Sequence, residues 1–96
     1  MRSDDCLRDL QLENLTDQLT RCNQVVERFP SNPGPLNERY LLLSLAGNDE
    51  AACADIRRAI VLARSAKPGQ VDEQLRLDLK LRGELCDTGA ASPQRQ

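Results

Sequence analysis

Between positions 15 and 29 the apolar residues Leu15, Leu19, Cys22, Val26 and Phe29 fall at intervals of three and four, the spacing of one face of an α-helix. Asn14 or Thr16 can cap its start, Asp17 complements the helix dipole, and the run "PSNPGP" stops it after Phe29. Upstream, "SDDCLRDLQL" offers Ser3 as a cap, acids in the first turn and the apolar set Cys6, Leu7 and Leu10, which predicts a shorter helix followed by a turn over 12–14. Asn32 or Gly34 precedes a proline suited to a first helical position, and Gly47 is a natural left-handed stop, so a second long helix is predicted over about 35–46. Its stripe is Leu36, Tyr40 and Leu43, but Leu41, Leu42 and Leu45 make it apolar nearly all round, which requires neighbours on more than one side. Asn48 then caps a helix with Asp49 and Glu50 in its first turn, a packing face of Ala52, Ile56, Ala59, Ile60 and Ala63, and an end near Ser65.

The last element, "VDEQLRLDLKLRGELC", carries two competing periods. Leu75, Leu77, Leu79 and Leu81 alternate with charged residues as in a strand. The ridges Val71/Leu75/Leu79 and Leu77/Leu81/Leu85, with Asp78 and Arg82 one turn apart at ion-pair spacing, argue for a helix. No β-branched residue follows Val71 and no partner strand is visible, so helix is the reading adopted. The result is an all-α chain of four to five helices joined by short turns, each packed antiparallel to the next, with one domain over 1–87 and a flexible tail over 88–96.

Composition supports the helices. Sixteen leucines and nine alanines stand against four valines, two isoleucines, one Phe and one Tyr, so helix formers far outnumber strand formers. A chain of 96 residues has a modest core, and disulfides, regular packing or oligomerisation would help it. The net charge of -2 makes no long-range field for nucleic acid or an anionic membrane, and the arginines are interleaved with acids as on a solvated surface. No apolar run approaches the ~20 residues of a membrane span, and the start "MRSDDCLRDL" has no apolar signal region. The expectation is a cytoplasmic protein by default, or an exported one if Met1 is not the native start and the cysteines are oxidised.

Pro30 and residues 36–59 resemble a tetratricopeptide repeat, a helix-turn-helix unit of 34 residues. Leu36 stands at the family's first large apolar position, Leu43 at its tyrosine, Gly47 and Asn48 at its inter-helix turn, and Ala52, Ile56 and Ala59 at the small, large and small packing positions of its second helix. Pro30 matches the proline closing the preceding unit, and Cys22 with Ile56, like Val25 with Ala59, are 34 positions apart. Tyr40 occupies the slot of a glycine and Arg64 that of the closing proline, so the repeats are degenerate. The resemblance implies stacked antiparallel hairpins forming a short α-solenoid whose first helices line a concave face. A peptide or protein partner would meet that face at Asn37, Leu41, Ser44 and Leu45 of the middle helix and at Leu75, Asp78 and Arg82 of the last. The family's clamp for a C-terminal carboxylate is missing, since Leu41 replaces a polar residue there.

Candidate chemistry is sparse. With no histidine, the usual general base, the catalytic triads and most zinc sites are absent. The glycines at 34, 47, 69, 83 and 89 never cluster into a phosphate-binding loop, and the acid pairs Asp4/Asp5, Asp49/Glu50 and Asp72/Glu73 all stand at predicted helix starts. No catalytic, metal or cofactor residue is assigned. Cys6, Cys22, Cys53 and Cys86 form no C-x-x-C motif. They can be two disulfides, reduced core residues, or metal or redox groups. If oxidised, the repeat register implies the pairs Cys6 with Cys22 and Cys53 with Cys86.

The function expected is therefore a non-catalytic scaffold or adaptor module binding a peptide or protein, with no cofactor, nucleic acid or membrane. Two alternatives stand beside it: a small structural subunit that self-associates or fills a larger complex, and a thiol redox protein.

Overall fold

The computed structural model describes residues 1–88, and within them there is no strand. Two short 3-10 turns, Asp5–Leu7 and Leu12–Asn14, precede four α-helices: α1 Leu15–Arg28, α2 Pro33–Leu45, α3 Asp49–Arg64 and α4 Glu73–Asp87. The expected tail lies outside the described residues apart from Thr88, which caps the end of α4.

The caps explain the boundaries. α2 begins two residues before the expected start, because the Asn32 side chain accepts the Gly34 amide at 2.9 Å and sets Pro33 at the first helical position. The prolines at 33 and 35 cost nothing there, since amides of the first turn have no intrahelical acceptor. Gly47, at φ +81°, ends α2 in the left-handed region, and the Asn48 side chain accepts from Ala51 to open α3. Asp72 accepts from the Leu75 amide at 2.9 Å and opens α4, so the alternating leucines resolve as a helix. They divide accordingly: Leu79 is buried and Leu75 packs beside it, while Leu77, Leu81 and Leu85 face solvent.

The N-terminal segment departs from the expected short helix. Its Cys6 and Arg8 carbonyls, which an α-helix would give to its own amides, instead accept from Gln18 Nε2 of α1 at 3.0 and 2.8 Å. Cys6 is bonded to Cys22, and Asp9 takes a positive φ of 52°. These tethers hold the segment across α1 as turns and extended chain, and Ser3 caps nothing.

Helix α2 is central: it packs against α1, α3, α4 and the first 3-10 turn, which is why it is apolar on several sides. Two clusters form the core, Cys6/Cys22/Val25/Leu42 towards α1 and Leu36/Ile56/Ala59/Leu79 towards α3 and α4. Leu42 is wholly buried while Tyr40 and Leu43 of the expected stripe are half-buried, because two neighbours claim two stripes of one helix. Cys22, Val25, Ile56 and Ala59, the residues 34 apart, are all fully buried. Gly83 lets α4 approach α3: a Cβ there would lie 2.9 Å from Ile60 Cδ1.

A partly buried ion pair ties three helices. Arg39 Nε and Nη2 of α2 donate to Asp55 Oδ2 and Oδ1 of α3 at 2.6 and 2.8 Å, and Arg39 Nη1 donates to Asn23 Oδ1 of α1 at 3.0 Å. The paired, two-bond geometry satisfies both ions, and the hydrogen bond to Asp55 pushes the Arg39 pKa up against the opposing effect of burial.

Candidate functional site

The seven residues expected at a binding face fall into three groups. Asn37, Asp78 and Arg82 come together between α2 and α4. Asn37 Nδ2 donates to Asp78 Oδ2 at 3.1 Å, while Arg82 Nη1 donates to the Asn37 backbone oxygen at 2.9 Å and to its Oδ1 at 2.8 Å. Asp78 and Arg82 thus act through Asn37 rather than as a direct ion pair. Gln74 donates to the other Asp78 oxygen, and the Arg82 guanidinium stacks 4.9 Å from the Tyr40 ring centre. Asn37 is buried and its groups are all engaged, so this network locks α4 onto α2. Leu75 packs against the second core cluster. Leu41 and Ser44 are half-buried, Leu45 is 47% exposed, and neither leucine belongs to a core cluster.

Glu38 completes this face, and sequence reasoning passed over it. It stands three residues before Leu41 and seven before Leu45, so helical geometry sets all three on one side of α2. Its Oε1 is buried without a hydrogen-bond partner, and its pKa is pushed up to about 7, first by burial and then by the charges of Asp4 and Asp5 on the N-terminal segment. A cleft of about 300 Å³ beside it is lined by Asn37, Glu38, Asp72, Gln74, Leu75 and Asp78 among others; of the described residues that line it, none is basic. Asp72 is engaged as the α4 cap and Asp78 by two amides, leaving Glu38 as the unsatisfied acid. The available signal was the spacing of an acid with exposed leucines; the proximity of Asp4 and Asp5 is tertiary and has no local sign.

A larger cavity, about 590 Å³, lies between the α1–α2 turn and the end of α3, lined by residues such as Phe29, Pro30, Leu62 and Gln70. Among the described residues that line it none is titratable. The cysteines are joined as Cys6–Cys22, with sulfurs 2.17 Å apart, and Cys53–Cys86, at 2.08 Å; none is free. All four are buried, so their geometry is that of staples: one holds the N-terminal segment to α1, the other α3 to α4. Among the described residues no helix is long and apolar enough to cross a membrane.

No protein-family model matches the chain, and no curated protein or solved structure matches it either.

Proposed function

We propose that the chain is a non-catalytic interaction module of tetratricopeptide-like type that binds a peptide along the face of α2 between the N-terminal turns and α4. The observation that carries this reading is the contrast on that face: Asn37, Asp78 and Arg82 satisfy one another, whereas Glu38 has a buried oxygen without a partner beside a cleft and Leu41 and Leu45 lie outside both core clusters. Helix α2 contacts both the first 3-10 turn and α4, the elements between which the peptide would lie.

The peptide chemistry follows from the groups left open. A lysine or arginine of the peptide would meet Glu38 and relieve its uncompensated burial, and an apolar side chain about a turn away would cover Leu41 and Leu45. Selection of random phage-displayed peptides on the oxidised protein tests this. The expected winners combine a basic and a large apolar residue, and they lose binding to Leu41→Ser/Leu45→Ser while that variant keeps the wild-type melting curve. Failure to enrich any peptide over a blank support, or equal binding to the variant, overturns the reading.

A further inference from the structure

The two disulfides differ in how they are protected. Cys6 and Cys22 are each 0% exposed and belong to the first core cluster with Val25 and Leu42, with Leu7, Leu10, Leu15 and Leu19 packed against it. The segment that carries Cys6 is also tied down without its sulfur, by Gln18 Nε2 on the Cys6 and Arg8 carbonyls and by Arg21 Nη1 on the Arg8 carbonyl at 2.8 Å. A reductant reaches this bridge when the α1–α2 core opens, which in a chain of this size is close to global unfolding.

Cys53 and Cys86 retain 7% and 9% exposure and belong to neither core cluster. Cys86 stands in the last turn of α4, one residue before its end at Asp87. Among the described residues beyond Gly83, Glu84, Leu85, Asp87 and Thr88 are exposed, so Cys86 is the single buried side chain there and its bond to Cys53 is what holds this turn to α3. Upstream the helix is held by other means: Arg82 bonds to Asn37, Leu79 lies in the second core cluster and Gly83 packs against Ile60. A terminal turn frays at small cost because its last carbonyls have no intrahelical donor, and fraying of residues 84–88 uncovers the Cys86 sulfur while these upstream contacts persist.

We propose that Cys53–Cys86 is a redox-sensitive latch that opens from the folded state, whereas Cys6–Cys22 is a permanent staple. The reductant is a dithiol. Its thiolate attacks Cys86 Sγ, the S–S bond breaks, and Cys53 leaves as a thiolate that takes up a proton. The second thiol of the reductant gives up its proton and closes an internal disulfide, which releases Cys86 as a thiolate that is protonated in turn. Two electrons and two protons thus pass to the chain, and the dithiol leaves oxidised. The product keeps Cys6–Cys22, stays folded with α4 docked through residues 75–83, and has its last turn released.

Limited reduction of the full, oxidised chain with dithiothreitol, quenched by a thiol-alkylating reagent and mapped by mass spectrometry, tests the proposal. The first product is expected to carry label on Cys53 and Cys86 alone, to form more than about tenfold faster than label appears on Cys6 and Cys22, and to keep its helical circular-dichroism signal in the cold. Low concentrations of urea separate the two routes: the first step should be nearly insensitive to urea and the second should accelerate steeply, since global opening exposes the surface on which urea acts. Label on Cys6 and Cys22 first, or on all four cysteines together, overturns the proposal. A first step as urea-dependent as the second overturns the local route, and a singly reduced chain without helical signal overturns the claim that α4 stays docked when the latch is open.

Discussion

Replacing Glu38 by glutamine removes a charge while keeping the side chain's shape, and the effect should depend on pH in a defined direction. The Glu38 carboxyl is raised from 4.5 to about 7 in the folded protein by burial and by Asp4 and Asp5. Below pH 4.5 it is protonated whether the chain is folded or not and contributes no difference. Between 4.5 and about 7 the unfolded chain ionises while the folded chain holds its proton, so stability falls as pH rises and the loss is complete above about 7. Complete burial would make that loss about 3 kcal/mol, and the partial exposure of the side chain reduces it to about 1–2 kcal/mol. Glu38→Gln should therefore lie closest to the wild type below pH 4.5, gain on it as pH rises through 5 to 7, and be about 1–2 kcal/mol more stable at pH 8. Asp5 does not interfere, since the Arg2 backbone amide and then Arg8 hold its carboxyl below the usual range and its contribution is lost only at lower pH. Urea denaturation of both oxidised proteins at intervals from pH 5 to 8 measures the difference. Parallel curves across that range would refute the account of Glu38.

Further predictions concern the staples and the buried pair. By loop length, the Cys6–Cys22 bridge, spanning 16 residues, contributes about 3 kcal/mol and the Cys53–Cys86 bridge, spanning 33, nearly 4. Replacing either pair by alanine should lower the melting temperature by about 12–30 °C, and reducing both with dithiothreitol should cost the helical circular-dichroism signal near room temperature. Asp55→Ala should destabilise the fold by about 2–4 kcal/mol because it strands a partly buried guanidinium, and Arg39→Ala/Asp55→Ala should cost less than the sum of the single changes in a double-mutant cycle. Peptides bound through a basic residue should gain affinity as pH rises from 6 to 8 and Glu38 ionises, and that gain should vanish in Glu38→Gln, as titration calorimetry would record.

Much of the fold is legible in the chain because helical periodicity and caps are local. Asn48 with Asp49 and Glu50 marks α3, Gly47 marks the end of α2, and the 15–29 spacing marks α1. The alternating leucines of α4 allowed a strand, but the four-residue ridges Val71/Leu75/Leu79 and Leu77/Leu81/Leu85 favour the helix that forms. What escapes a linear reading is long-range. Gln18 is a polar residue on an otherwise unremarkable turn until it meets the Cys6 and Arg8 carbonyls, and that contact replaces the N-terminal helix by turns. Arg39 and Asp55 look like surface charges, yet they meet 16 residues apart and are mostly buried. Asn37, Asp78 and Arg82 are expected from the sequence on one partner-facing surface, yet they bond to one another across α2 and α4 and form a lock. Glu38 acquires its character from Asp4 and Asp5, which lie more than thirty positions away along the chain.

The peptide-binding claim is tested most directly by amide chemical-shift mapping of the isotopically labelled, oxidised protein with a selected basic-apolar peptide. The account predicts saturable shifts centred on Glu38, Leu41 and Leu45 and extending to the neighbouring Asn37 and Asp78. Shifts confined to other surfaces, such as the exposed side of α3 around Arg57 and Val61, or no saturable shift, would contradict it.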